Sequence, residues 1–208
     1  MRSVITEQDI PASGELRIQI GSIVTSAARE AAATRGVQIV ELPAEQVSAI
    51  APAEQTIAIG SDHGGFSMKE VLKPVLAQLG FSLRDVGVMT ETPADYPDIA
   101  EKVAELVASG TTSRGVIVDG AGIGSCMAAN KVPGIRAALC YDKASARNSR
   151  EHNDSNVLTL GGRLLTPSQA EEVLRTWIAT PFAGGRHSAR VNKITAIEQR
   201  YAKWTPQH

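Results

Sequence analysis

From residue 57 onward, short apolar runs alternate with longer amphipathic stretches, and this alternation restricts the chain to a small set of folds. The strands of a parallel sheet are covered by helices on both faces, so they read as continuous apolar runs separated by helical segments. The apolar runs predict five strands, at 56–60, 82–86, 115–119, 136–139 and 157–161. The fold class is therefore predicted to be α/β, with a mainly five-stranded parallel sheet.

The segments between these runs carry apolar residues at helical spacing. In segment 67–79 these residues share one helical face, and Gly80 stands where a left-handed C-terminal cap is expected. Segment 167–179 follows Thr166, a predicted N-cap, and has Pro167 at its first position. Further helices are predicted at 99–108 and 189–204, and residues 126–131 are helix-like.

The first fifty residues form a pattern of their own. Alternating apolar and polar side chains predict a short strand at 16–20, and a second strand is predicted at 37–42. Between them, Thr25 and Ser26 can cap a helix that reaches Thr34. This order predicts a small β-α-β appendage.

Residues 43–55 hold two prolines and several alanines, a composition typical of a linker. We therefore predict an N-terminal appendage and linker at 1–50, followed by a main domain at 51–208. A piece as small as the appendage can hardly bury a core alone. It is expected to dock on its own main domain or on another protein.

Composition excludes some classes of function. The formal net charge of -1 gives no basic footprint, so no nucleic-acid partner is expected. No apolar run is long enough to span a bilayer, and the first residues lack the apolar core of a secretory signal. These features predict a cytoplasmic protein without a membrane partner. The two cysteines, Cys126 and Cys140, form no metal-type cluster and are expected to be reduced thiols.

Two polar segments follow predicted strands. Asp62 and His63 come directly after the first strand of the main domain, at the end of the sheet where open α/β folds bind ligands. The alternative is an aspartate that caps the next helix beside a surface histidine. Gly120, Gly122 and Gly124 lie between the third strand and a helix, where their backbone N–H groups could hold a phosphate or an oxyanion. Their spacing is not that of a dinucleotide fingerprint, and the glycines could instead allow close helix packing.

Two further polar segments lie nearer the C-terminus. The run at 149–156 is rich in His, Asn and Asp, and the sequence alone favours a solvated loop over a binding loop. Arg186 and Arg190 are four residues apart at the start of a predicted helix, so they share one face. Two guanidinium groups beside a helix N-terminus suit a phosphate, and the alternative is a pair of solvated surface charges.

Taken together in this order and spacing, the four segments resemble the family of type B ribose-5-phosphate isomerases and galactose-6-phosphate isomerase subunits. The match runs from about residue 56 to 202. Its most specific elements are Ser-Asp-His-Gly-Gly at 61–65, Asp-Tyr-Pro at 95–97, Ala-Ala-Asn-Lys at 128–131, His-Asn-Asp at 152–154 and Gly-Gly-Arg-His at 184–187. The resemblance implies a Rossmann-like αβα sandwich and a homodimer or dimer of dimers with shared active sites. It also implies that neither a metal nor a nucleotide cofactor is used.

The resemblance also assigns roles to residues. His63 would bind the substrate phosphate together with Arg186 and Arg190, Asp62 would lie beside the sugar hydroxyls, and Tyr96 would line the site.

His152 would help to open the furanose ring, with Asn153 beside it. The backbone amides of Gly120, Gly122 and Gly124 would hold the enediolate oxygen next to Ser125.

The chain departs from the family pattern near the expected base. Many type B isomerases have a catalytic cysteine where this chain has Asp119 and a threonine where it has Ala121, whereas other members use a glutamate at the position of Ser125. The A-type galactose-6-phosphate isomerase subunit resembles this chain at Asp119. Because a carboxylate can transfer a carbon-bound proton, Asp119 is predicted to be the base, with Ser125 or Cys126 as alternatives.

The predicted function is aldose–ketose isomerisation of a phosphosugar through a cis-enediolate, with ribose 5-phosphate and ribulose 5-phosphate as the expected pair. One alternative is an isomerase for a tetrose or hexose phosphate. Another is a sugar-phosphate-binding or scaffold subunit that does not catalyse the reaction.

Residues 21–30 are similar to leader segments on some enzymes of bacterial microcompartments. This similarity implies a shell or cargo contact through residues 1–50 and a location within a microcompartment. An ordinary packed extension is the alternative.

Overall fold

The structure is a computed structural model of the 208-residue chain, and it describes residues 4–7, 10, 15–42 and 56–202. The chain divides into two compact units, Met1–Pro52 and Ala53–His208. The predicted linker at 43–55 lies outside the described residues, so the domain boundary at 50/51 stays a prediction.

The described residues of the N-terminal unit form two small parallel sheets and one helix. Strand β1 (Val4–Ile5) pairs with β3 (Ile23–Val24), and β2 (Glu15–Gln19) pairs with β4 (Gln38–Leu42). Helix α1 (Ser26–Arg35) begins after Thr25, whose hydroxyl accepts a hydrogen bond from the Ala28 N–H at 3.2 Å. A small core forms around α1 from Ile10, Ala28, Ala31, Ala32 and Val37. The two-residue strands β1 and β3 were not predicted, because they are too short to show periodicity.

The larger unit is built on a five-stranded, fully parallel sheet, which confirms the predicted α/β fold. The strands are β5 (Thr56–Ser61), β6 (Ser82–Asp85), β7 (Arg114–Asp119), β8 (Ala137–Leu139) and β9 (Val157–Gly161). Their order in the sheet is β6-β5-β7-β9-β8, so β5, β7 and β9 are interior strands. These three strands have fully buried side chains on both faces.

Six helices cover the two faces of this sheet or extend from it. They are α2 (Phe66–Gln78), α3 (Tyr96–Ala108), α4 (Ile123–Ala129), α5 (Lys143–Glu151), α6 (Pro167–Ala179) and α7 (Arg186–Tyr201). The odd-numbered residues Ile57 and Ile59 join the core under α2, α5 and α6, whereas Ala58 between them joins the core under α3 and α4. The strand alternation thus divides the interior into two layers of core.

Several helices differ from the sequence predictions. Helix α3 begins at Tyr96, three residues early, because Asp95 is its N-cap and Pro97 fits the first turn. Helix α7 begins at Arg186 and not at residue 189. Helix α5 was not predicted, because its sequence is polar and only Ala146, Ser149 and Arg150 are buried.

The expectation of a solvated loop at 149–156 is wrong for part of that run. Residues 149–151 are the end of α5, and Ser149, Arg150 and Ser155 are buried. The Trp177 indole N–H donates to the Ser155 hydroxyl at 2.8 Å, and Arg150 lies over the Trp177 ring. These polar groups are buried because each has a partner in the interior.

Candidate active site

The first group of predicted site residues lies at the carboxyl ends of the neighbouring strands β5 and β7. Ser61 pairs with Val118, so the next residues, Asp62 and Asp119, emerge side by side. Asp62 is buried, and its carboxylate accepts the Gly65 N–H at 3.0 Å. The alternative role of Asp62, as the cap of the next helix, is not observed: the N-cap of α2 is Gly65, and the Asp62 carboxylate closes the turn before it.

The turn after β5 approaches the glycine loop closely. A Cβ atom on Gly65 would lie 2.0 Å from the Val118 carbonyl oxygen, and one on Gly64 would lie 3.2 Å from the Gly120 nitrogen. A side chain at Gly65 is therefore sterically impossible without moving the strand. These glycines let the two loops that carry Asp62 and Asp119 meet backbone to backbone.

Asp119 is 4% exposed and organises the glycine loop. One carboxylate oxygen accepts the N–H groups of Ala121, at 2.8 Å, and of Gly122. The other accepts the Ser125 N–H at 2.9 Å, at the N-terminal turn of α4. An ionised carboxylate has about four acceptor positions, so three donors leave about one for a substrate or a proton.

These contacts change the expected role of one amide. The Gly122 N–H points at the Asp119 carboxylate in this structure, so it is engaged in the loop and does not face an open oxyanion position. Gly122 itself has a φ of +80°, which requires glycine, and its Cα packs against the end of β9. The amides of Gly120 and Gly124 remain the candidates for binding an oxyanion.

Two tyrosines flank the glycine loop. A Cβ atom on Gly124 would lie 2.5 Å from the ring of Tyr96. The ring can therefore pack here only because residue 124 has no side chain. On the other side, the Tyr141 hydroxyl donates to the Ala121 carbonyl at 3.1 Å. Both tyrosines are about 40% exposed. Tyr141 was missed by sequence reasoning, because a lone tyrosine after a short strand carries no recognisable pattern.

Two other side chains at this loop matter for its chemistry. The Ser125 hydroxyl is fully buried and has no hydrogen-bond partner among residues 56–202. The exposed Arg163 side chain lies beside Gly120, at 3.7 Å from a Cβ placed there. Sequence reasoning also missed Arg163, which is separated from the glycine loop by more than thirty residues but is brought there by the turn after β9.

His63 stands at the rim of this first group. Its imidazole Nδ1 accepts the Ala94 N–H at 3.4 Å, so the proton of a neutral ring is on Nε2. A histidine held in this way presents an N–H donor away from the loop, as binding an anion requires.

The second group of predicted residues lies where α5 ends and α7 begins. The rings of His152 and His187 are stacked, with centroids 4.3 Å apart. Asn148 contacts His152 Nδ1 at 2.9 Å, and the Arg186 Nε–H approaches His187 Nε2 at 3.5 Å. His187 belongs to the Gly-Gly-Arg-His element but was given no role from the sequence. The structure places it between His152 and Arg186.

The turn that carries His152 and Asn153 is fixed by ion pairs. Asp154 pairs with Arg150 at 2.8 Å and with Arg136 at 3.0 Å. The Asn153 side-chain amide also donates to the Asn148 carbonyl at 3.4 Å. Buried or half-buried arginines thus hold the turn, and His152 remains partly exposed above it.

The predicted site residues thus fall into two groups. The first contains Asp62, His63, Tyr96, Asp119, Gly120, Gly122, Gly124 and Ser125, and the second contains His152, Asn153, Arg186 and Arg190. Within the described part of this single chain, no hydrogen bond, ion pair or ring contact joins one group to the other. Arg186 and Arg190 are both exposed and pair with no carboxylate among the described residues.

Among the described residues, no group of three or more His, Cys, Asp or Glu side chains could hold a metal ion. No helix of the described segments has the length and apolar character that crossing a bilayer requires.

A parallel αβα sandwich with carboxylates, glycines and a histidine at the strand ends is typical of α/β enzymes that act on small molecules. Residues 57–194 match the model of the Ribose/Galactose Isomerase family. Ribose-5-phosphate isomerase B of Escherichia coli is 42% identical over 144 residues, which are 69% of this chain and 97% of that protein. D-erythrulose-4-phosphate isomerase of Pectobacterium atrosepticum is 37% identical over 147 residues, covering 70% of this chain and 96% of that protein.

Solved structures agree with this relationship. Ribose-5-phosphate isomerase B of Clostridium thermocellum superposes with a TM-score of 0.69 at 47% identity, over 70% of this chain and 99% of that chain. The chain belongs to the Ribose/Galactose Isomerase family. It is a sugar-phosphate isomerase, and the resemblance predicted from its motifs is confirmed.

Proposed function

We propose that this enzyme interconverts ribose 5-phosphate and ribulose 5-phosphate. The names of several relatives, including the E. coli protein, support this substrate pair. The Pectobacterium relative is named for a tetrose phosphate, so an isomerase for D-erythrulose 4-phosphate is the second candidate. Comparing kcat/KM for four-, five- and six-carbon aldose phosphates tests the proposal, and a preference of tenfold or more for a tetrose or hexose phosphate would overturn it.

In the proposed mechanism, Asp119 moves the proton between the two reacting carbons. The observation that carries this role is its place at the end of β7 between Asp62 and the glycine loop, with about one acceptor position free. Its three backbone donors also hold the carboxylate in one orientation, and a base must be positioned before it can act. The amides of Gly120 and Gly124 would stabilise the enediolate oxygen.

The substrate phosphate would bind His63, Arg186 and Arg190. Arg186 and Arg190 lie in the first turns of α7, where backbone N–H groups also favour an anion. His152, with Asn153 beside it, would open the furanose ring. Binding energy from the phosphate would then hold the reacting carbons over Asp119.

We further propose that two copies of the chain form a homodimer and that each active site takes one group of residues from each copy. The separation of the two groups within one chain supports this arrangement. Helix α7 supports it as well, because His187 is its only buried residue whereas Ile194, Ile197 and Tyr201 are 46 to 63% exposed. Such an apolar stripe on a sixteen-residue helix is typical of a subunit contact.

For residues 1–50 we propose a role in contact with a microcompartment shell or with other cargo, in an enzyme that otherwise acts in the cytoplasm. The similarity of residues 21–30 to leader segments supports this role. Deleting residues 1–50 should leave isomerase activity intact and abolish co-localisation with the shell. Unchanged localisation would leave the segment as an ordinary extension of the enzyme.

A further inference from the structure

A lysine is fully buried next to the candidate active site, and the mechanism above does not use it. Lys69 lies in the second turn of α2 and is 0% exposed. Its ammonium donates to both carboxylate oxygens of Asp85, at 2.9 and 2.7 Å, and to the Val88 carbonyl at 2.8 Å. An ammonium has three donors, so these three hydrogen bonds use all of them, and Glu70 adds an ion pair at 3.3 Å.

Stability alone does not explain this lysine. Moving a charge out of water is unfavourable, and replacing a buried ion pair by apolar residues is often neutral or stabilising. Lys73, on the next turn, also pairs with Asp85 at 3.1 Å from a position near the surface. The contact that distinguishes Lys69 from Lys73 is the hydrogen bond to the Val88 carbonyl.

That hydrogen bond fixes the start of a loop that ends in the active site. Val88 also donates its N–H to the Ser61 carbonyl at 3.0 Å, directly before Asp62. Gly87 packs so closely that a Cβ atom there would lie 2.4 Å from the Ser61 nitrogen. The turn at 85–88 is therefore held by hydrogen bonds from Lys69 on one side and by packing against the end of β5 on the other, an arrangement that we call the clamp.

The far end of the same loop touches two predicted substrate-binding residues. The Ala94 N–H donates to His63 Nδ1, and Tyr96, two residues later, packs its ring against Gly124. Between 88 and 94, the loop lies at the surface with Met89 70% exposed, and its middle is held by one exposed hydrogen bond, from the Ser67 hydroxyl of α2 to the Glu91 carboxylate at 3.2 Å. Its course therefore depends mainly on how its two ends are held.

We propose that Lys69 is a positioning residue for substrate binding: through Val88 and Asp85 it fixes the loop whose far end orients His63 and Tyr96. This inference rests on the proposed function of His63 as a phosphate ligand. Lys69 touches neither the substrate nor the reacting carbons. Its effect should therefore appear in the state of the His63 ring and in the Michaelis constant.

The test compares three variants. Lys69→Met with Asp85→Asn removes the clamp without leaving a lone buried carboxylate, and Lys73→Met is the matched control, which removes a lysine from Asp85 but keeps the Val88 contact. Ala94→Pro removes the N–H donor to His63 and lies in the surface loop, so it tests the link even if the core variant fails to fold.

The first measurement is the nitrogen NMR spectrum of the imidazoles, of which the chain has only four. His63, assigned with His63→Gln, should be the Nε2–H tautomer in the wild type. It should become a mixture of tautomers in the double variant and in Ala94→Pro, and should be unchanged in Lys73→Met. An unchanged His63 spectrum in Ala94→Pro, or in a folded double variant, overturns the inference.

The second measurement is the KM for the phosphosugar, together with inhibition by inorganic phosphate. Both constants should rise about tenfold in the double variant, with kcat changed by no more than about threefold, because only the placement of binding groups is lost. Equal changes in Lys73→Met would overturn the inference, because the effect would then come from the loss of a positive charge beside Asp85 and not from the Val88 contact. The NMR result is independent of turnover, so a wild type that isomerises no phosphosugar would refute the proposed function alone.

Discussion

The imidazole rings of His152 and His187 lie parallel, with their planes at 4° and their centroids 4.3 Å apart. His187 is 7% exposed, and its Nδ1 has no partner among the described residues. Burial lowers the pKa of His187 below its ordinary value of 6.5, and the neighbouring His152, Arg186 and Arg190 lower it further, against a smaller opposing effect of Glu151. The folded protein therefore favours the neutral ring.

This shift predicts that the protein loses stability as the pH falls below about 6.5. The pKa of His187 is lower in the folded than in the unfolded chain, so the unfolded chain binds more protons in that range and is favoured by acid. His187→Phe keeps a stacked ring that does not titrate. Urea denaturation between about pH 5 and pH 7.5 should show a smaller loss of stability in His187→Phe than in the wild type.

Parallel curves for the wild type and His187→Phe would contradict the prediction.

Arg186→Ala and Arg190→Ala should each weaken phosphosugar binding. Hydrogen bonds to charged groups contribute about 1.5 to 3 kcal/mol, so KM should rise by about 10- to 100-fold in each variant. The measurement is steady-state kinetics, with Arg200→Ala, at the other end of the same helix, as the matched control. Michaelis constants that stay at the wild-type value in both variants would remove these arginines from the phosphate site.

Asp119→Asn should lower kcat by about 10²- to 10⁴-fold, as expected when a general base is lost. The amide also replaces an acceptor that three backbone N–H groups use, so the glycine loop could be disturbed. Inhibition by inorganic phosphate separates the two causes. An inhibition constant close to that of the wild type would show that phosphate binding is intact and that the proton-transfer step is lost. An Asp119→Asn variant with wild-type kcat would exclude this residue as the base.

The sequence predicts the fold well because its strongest signal is local. Apolar strands at 57–59 and 116–118 and the caps at Thr166 and Gly80 are each specified by a few neighbouring residues, and the structure agrees with them. Helix α5 escaped prediction because only three of its nine side chains are buried and two of these, Ser149 and Arg150, are polar, so few apolar residues mark its buried face.

The site was harder to predict because its contacts connect distant segments. The polarity of Asp119 suggests chemistry, yet its three hydrogen bonds to backbone amides depend on the loop conformation, which no residue pattern specifies. Tyr141 and Arg163 reach the glycine loop through the sheet order β7-β9-β8, and sequence alone does not give that order. The motifs thus identify candidate site residues but not the groups that these residues contact.

The contact between Gly124 and Tyr96 gives a prediction about substrate binding. In Gly124→Ala the new Cβ would meet the Tyr96 ring at 2.5 Å, and the half-exposed ring would be displaced. We expect kcat/KM to fall about tenfold with little change in melting temperature, because a flexible surface side chain can move at low cost. In a Tyr96→Ala background, the same glycine substitution should have almost no further effect. Additive losses would show that Gly124 acts independently of the tyrosine.

Shared active sites can be tested by mixing two variants that are each strongly impaired at low substrate concentration. If Asp119 of one subunit works with Arg190 of the other, a mixed dimer of Asp119→Asn and Arg190→Ala has one site with both changes and one intact site. Random exchange makes about half of the dimers mixed, so about a quarter of the wild-type activity should return at substrate concentrations below KM. Mixing Asp119→Asn with Asp62→Asn is the control, because both residues belong to the same group and no intact site can form. Recovery in neither mixture would mean that each site is built from a single chain, and the exposed arginines of α7 would then need another explanation.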